Sequence, residues 1–171
     1  MRFVKLFLLG AVALLVVMTA FSFLFPSHLR IGRTINIAAS REKVYAAVGD
    51  LQSWQQWNEF VRSTPLTGKF VSTPSSGVGA VLRSDQLLIT VTASGPDSVR
   101  LDWKQPKGKN FTEAYNLVRI HPDSLTVQWW FDFHFRWYPW EKLGILVYDK
   151  KLGPVMEESL DELKRYVEKS P

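Results

Sequence analysis

Apolar residues fall along this chain in three successive rhythms. From Leu6 to Phe25 (LFLLGAVALLVVMTAFSFLF) there are 20 residues without a charge and without a polar face. At the rise of an α-helix such a run spans about 30 Å, the thickness of a bilayer core. Residues 1–27 are therefore expected to form a transmembrane anchor, and residues 28–171 a folded domain. A signal peptide is the rival reading, and Ala20-Phe21-Ser22 loosely fits its cleavage site. Cleavage there would leave Phe23-Leu24-Phe25 exposed at the new terminus, so the anchor is preferred.

Beyond the anchor the rhythm shortens to two. Arg33 to Ala39 (RTINIAA) predicts a first strand, and Ser40 then offers a helix N-cap with Glu42 in the first turn. Val44, Val48 and Leu51 keep helical spacing, and Gly49-Asp50 predicts a break between two short helices. Further strands are expected over 80–84, 87–93, 98–104, 111–120 and 125–137, separated by turn-rich clusters such as SGPD and QPKGKN. Leu87, Ile89, Val91 and Ala93 share one parity, as do Val99, Leu101 and Trp103. The last strand is the clearest: Leu125, Val127, Trp129, Phe131, Phe133 and Phe135 alternate with polar neighbours, His134 and Asp132 among them, which are expected at the surface.

The third rhythm is helical. Val155, Met156, Ser159, Leu160, Leu163, Tyr166 and Val167 form one stripe, and acids precede bases as the helix dipole favours. Gly153-Pro154 either starts this helix or bends a longer one beginning near Lys142. A curved antiparallel sheet with one apolar face needs a cover, and the terminal helix is the element long enough to supply it. The expected fold class is α+β: a curved antiparallel sheet, two short helices and a long C-terminal helix, preceded by one transmembrane helix.

Charge changes this picture little. The anchor segment holds two of the 21 Lys and Arg and none of the 16 acids, leaving the domain at a formal +3. The bases are scattered, with Lys104, Lys107 and Lys109 the one loose cluster, so no nucleic-acid partner is expected. Arg2 and Lys5 favour a cytoplasmic N-terminus, although Arg30 and Arg33 pull the other way. The expected placement is single-pass, N-in, with the domain on the extracytoplasmic side. The chain has no cysteine, and its three histidines are far apart, which argues against a metal site. No cofactor motif is present.

Ile35 to Tyr45 (INIAASREKVY), Asp50-Leu51 with Trp54 and Trp57, and Gly153 to Val167 together resemble the START-like (SRPBCC) superfamily of the polyketide cyclase/dehydrase type. The first is similar to its opening strand and helix start, the second to its aspartate-tryptophan segment, and the third to its closing helix. The resemblance covers roughly residues 33–169. It implies a helix-grip fold, in which the closing helix lies along a concave sheet, with Trp54 and Trp57 packed on the sheet or lining a cavity mouth.

That implication, with the apolar inward parity, defines a candidate ligand-lining set: Trp54, Trp57, Leu101, Trp103, Glu113, Tyr115, Trp129, Phe131, Phe133, Tyr148 and Met156. Glu113 is ambiguous. It shares its parity with Phe111, Tyr115 and Leu117, which turns it inward, but the other parity (Ala114, Val118, Ile120) is nearly as apolar, and the solvated placement is preferred. An inward carboxyl would have a raised pKa suited to acid–base work. Trp130, Trp137, Tyr138 and Trp140 lie outside the clear alternation, either at a membrane interface or packed against the closing helix, the second being preferred. The expected function is a membrane-anchored, non-enzymatic binding domain for a hydrophobic small molecule or lipid. The alternatives are a cyclase/dehydratase-like enzyme using Glu113 or a tyrosine, and a partner-binding module with a filled core.

Overall fold

The computed structural model describes residues 2–23, 26–64, 67–106, 108, 110–121, 123–136, 138, 141 and 145–169. Helix α1 (Arg2–Ser22) takes in most of the uncharged run; its 18-residue apolar stretch, of mean hydropathy 2.4, has no residue buried against the rest of the chain, while Ser22 at its end is buried. Among the described residues it is the one helix long and apolar enough to cross a membrane. The chain enters the sheet almost at once, since Ser27 accepts a hydrogen bond from the Phe135 backbone at 2.8 Å.

Strand β1 covers His28–Ile37, five residues earlier than the alternation alone suggests. The reason lies in its neighbour. Arg30 sits directly opposite Asp132 in the antiparallel register and grips its carboxylate with two hydrogen bonds, of 3.0 and 2.7 Å. Charged residues at the start of β1 are thus satisfied by pairing across strands, which hydropathy does not register.

Ser40 caps α2 (Arg41–Gly49) by accepting from the Lys43 amide. Two short helices follow, α3 (Trp54–Trp57) and α4 (Glu59–Ser63). The sheet is completed by β2 (Phe70–Val71), β3 (Val81–Arg83), β4 (Leu88–Gly95), β5 (Ser98–Lys104), β6 (Phe111–His121) and β7 (Ser124–His134). All pairs are antiparallel, in the order β1-β7-β6-β5-β4-β3-β2. Strand β2 was not foreseen because two residues carry no periodicity. A bulge between Val91 and Ala93 flips the parity of β4, so Ala93 is exposed instead of continuing the inward row.

Helix α5 (Ile145–Lys169) is the longer of the two forms anticipated, with Pro154 inside it; Lys142 lies outside the described residues. Its expected stripe faces the sheet, with Met156, Leu160, Leu163 and Val167 all buried. The one polar member, Ser159, donates to Val155 O at 2.7 Å and accepts from the Glu59 amide at 2.9 Å, tying α4 to α5. Gly153 lets Arg33 lie flat on α5, since a Cβ there would stand 2.3 Å from Arg33 Nη2. From that seat Arg33 binds Asp149 and Glu157. The result is a helix-grip fold.

The paired tryptophans of α3 are fully buried, while Gln52, Gln55 and Gln56 are exposed. Each indole also has a polar task. Trp54 Nε1 donates to Val48 O at 2.9 Å and Trp57 Nε1 to Ala47 O at 3.3 Å. These are carbonyls at the end of α2, which have no partner of their own within the helix. The two rings therefore fill the grip and finish α2 together.

Candidate functional site: an aromatic cavity over a buried carboxyl

The packing between the sheet and its covering helices is complete at one end and leaves space at the other. At the closed end Glu168 caps the Ala38 amide at 2.9 Å, and Leu163 and Val167 fill the interior. At the other end a partly open cavity of about 620 Å³ remains. Its lining takes Trp103, Phe111 and Phe133 from three adjacent strands, Phe60 from α4, and Tyr148 and Leu152 from α5, with Tyr148 resting on Phe133 at a centroid distance of 4.9 Å. Leu87 closes one side, and the polar lining is Asp85, Gln86 and Gln105 next to strand ends together with Thr64 at the end of α4. Phe60 stands edge-on to Trp103, Trp129 and Phe131 at centroid distances of 6.3, 5.9 and 5.4 Å, a geometry that ring quadrupoles favour.

Three of the eleven candidate residues, Trp103, Phe133 and Tyr148, line this cavity. The other eight are not among its lining: Trp54, Trp57, Leu101, Glu113, Tyr115, Trp129, Phe131 and Met156 are buried in the packed core behind it. Strand parity identifies the inward face but not the point along it where the packing leaves space. Phe60, Phe111 and Leu152 were missed, although each had a signal. Phe111 shares the parity of Tyr115, Leu152 lies one helical turn from both Tyr148 and Met156, and Phe60 lies three residues after Trp57.

Glu113 is fully buried, correcting the preferred solvated placement. The cause is a pair of donors that parity cannot reveal. Trp103 Nε1 and Trp129 Nε1 each donate to one of its carboxyl oxygens, the latter at 2.6 Å. Burial pushes the carboxyl pKa up to about 7, against the opposing pull of Tyr115 and the two indoles. The Tyr115 hydroxyl, itself pushed well up by burial and by the nearby carboxylate, stands beside both Glu113 and Asn58. Yet neither Tyr115 Oη nor Asn58 Nδ2 completes a hydrogen bond of acceptable geometry among the described residues. Trp103 thus has two tasks: its ring lines the cavity and its N–H holds the buried carboxyl.

Asn58 also caps α4, accepting from the Val61 amide at 3.3 Å, and so sets the angle at which Phe60 enters the cavity wall. Asn58→Ala should cost about 1 kcal/mol, the worth of the cap, since among the described residues its amide nitrogen makes no bond. Differential scanning calorimetry checks this, with a fall in Tm of about 2–4 °C expected for a chain of this size.

Two further expectations are corrected on the outer face. Asp132 is buried, not surface-exposed, because Arg30 and His28 cover it, with His28 Nε2 at 2.7 Å. Burial alone would raise its pKa; Arg30 and His28 overcome this and hold it below the ordinary value. Trp130 does not pack on the closing helix: it lies on the opposite face, half-buried under the Arg30 guanidinium at 4.2 Å. Tyr138 is half-buried, and Trp137 and Trp140 lie outside the described residues.

A curved antiparallel sheet gripping a long C-terminal helix over an apolar cavity defines the START-like class. Residues 28–168 match the family described as polyketide cyclase / dehydrase and lipid transport, and the chain belongs to it. No curated protein matches the sequence. Among solved structures, a START superfamily protein from Mycobacterium smegmatis is similar at 18% identity and TM-score 0.61, covering 81% of this chain and 97% of that one. A truncated norcoclaurine synthase from Thalictrum flavum is similar at 12% identity and TM-score 0.60, covering 84% and 96%. A protein of unknown function from Staphylococcus aureus reaches TM-score 0.62 at 13% identity, covering 82% and 94%. At such identities the likeness is one of fold.

Proposed function

We propose that this protein is a membrane-anchored binding domain for a hydrophobic small molecule or lipid, held by residues 6–25 with its N-terminus on the cytoplasmic side. The observation that carries the reading is the cavity of about 620 Å³, lined by five aromatic rings, with Thr64, Asp85, Gln86 and Gln105 as its polar groups. That size lies within the range that buries a drug-sized ligand, and few polar groups are needed to orient an apolar one. The family description, which includes lipid transport, supports the same reading.

A non-enzymatic role fits the placement of Glu113. Its carboxyl oxygens are engaged by two indole N–H groups, and the Trp103 ring separates it from the cavity. A second reading, an acid–base catalyst of the cyclase/dehydratase type, is favoured by the titration of that carboxyl near neutrality. It requires Trp103 to swing aside.

The test is to purify the full chain from its membrane in mild detergent, extract bound molecules and identify them by mass spectrometry. Near-stoichiometric enrichment of one apolar class over bulk membrane lipid is expected. Protein that is consistently empty would refute the binding reading.

A further inference from the structure

The antiparallel registers place one end of every large strand on a common edge. His28 of β1 pairs with His134 of β7, Phe133 with Phe111 of β6, Phe111 with Trp103 of β5, and Lys104 with Leu88 of β4. That edge carries the open end of the cavity, whose lining includes Leu87, Trp103, Gln105, Phe111 and Phe133. It is also the edge at which the chain arrives from α1. With neighbouring strands about 4.8 Å apart, His28 lies only about 10 Å from β6 and about 14 Å from β5. Between Ser22 and Ser27 the backbone can span at most about 17 Å. The anchor therefore holds the domain by the same end at which the cavity opens.

From this juxtaposition, and resting on the anchored binding function proposed above, we infer that the cavity mouth faces the bilayer and loads directly from it with a single-chain amphiphile bearing an uncharged, hydroxyl-rich head group. The surface at this edge suits the headgroup layer. Phe70, paired with Arg83 there, is 54% exposed. Arg83 and Lys104 end β3 and β5 as exposed cations beside it. The cavity volume takes one chain-like ligand of drug size in place of a two-chain phospholipid. At its rim the Asp85 carboxylate accepts hydrogen bonds, while the Gln86 and Gln105 amides both donate and accept. Hydroxyl groups, which donate and accept, satisfy all three.

The absence of cysteine permits a direct test on the full chain in phosphatidylcholine vesicles. Gln105→Cys marks the mouth, and Ser98→Cys marks the first residue of β5, about 20 Å away along the strand. Each carries an environment-sensitive fluorophore, with headgroup spin-labelled lipid as quencher. Quenching at Gln105 at least threefold stronger than at Ser98 is expected; equal or reversed quenching overturns the orientation. In a second arm, a fluorescent monoacylglycerol loads from the vesicle bilayer into the native chain and into one with a Pro-rich spacer of about 20 residues after Phe23, adding about 60 Å. The spacer should slow loading at least tenfold and leave affinity in detergent unchanged. Equal loading rates overturn direct transfer while leaving the binding function standing, and tighter binding of a fatty acid than of the monoacylglycerol overturns the head-group assignment. No uptake of either probe by any form refutes the binding function itself.

Discussion

Trp54→Ala should destabilise the domain by about 3–5 kcal/mol, the range for deleting a large buried aromatic side chain. Trp54 is wholly buried and borders three other rings: Trp57, Trp103 and Tyr115. None of these is exposed enough to swing freely into the void. Trp54→Phe separates the two parts of the loss. It keeps most of the ring but leaves Val48 O without its 2.9 Å partner, a cost of about 1–3 kcal/mol for a buried acceptor. Urea denaturation of the full chain in mild detergent, followed by tryptophan fluorescence, measures both. An alanine variant within 1 kcal/mol of the native chain would contradict the role given to this residue.

Glu113 should make stability fall as pH rises. Its folded-state pKa stands near 7 against an ordinary 4.5, so between these values the folded chain holds one proton more than the unfolded chain. The favourable contribution is complete below about pH 4.5 and lost above about pH 7, a change of roughly 3 kcal/mol. Asp132 works in the opposite sense, since its lowered pKa adds stability that disappears in acid. Comparing the native chain with Glu113→Gln removes this and other background. The variant should be less stable at pH 5, because an amide places a donor against one of the two indole N–H groups, and the difference should shrink towards pH 8. A difference that stays constant between pH 5 and pH 8 would mean that Glu113 does not titrate in that window.

Much of the scaffold was legible because alternation survives wherever one face of a strand is buried. Ser98–Lys104 matches its expected bounds, and the row from Leu125 to Phe135 is buried throughout. Three of the failures share a cause: each depends on a partner distant in sequence. The early start of β1 needs Asp132, the burial of Glu113 needs Trp103 and Trp129, and Trp130 is shielded by Arg30. The bulge after Val91 reverses parity with no punctuating glycine or proline at that point. The cavity was the least legible feature. Parity places Trp129 and Phe133 on the same inward face, yet one is core and the other cavity lining. What separates them is what covers each: Phe60 and Tyr115 pack on Trp129, whereas Phe133 borders the space beside Tyr148. The START-like resemblance supplied the architecture but not the location of the space.

The most direct test is to fill that space. Leu152 is half-buried and points into the cavity from α5, so Leu152→Trp adds volume where room exists. Titration of the full chain in detergent with an apolar fluorescent probe should show affinity reduced at least tenfold in the variant, with Tm unchanged or raised. Unaltered probe affinity in a normally folded variant would show that apolar ligands bind elsewhere, and the cavity would lose its assigned role.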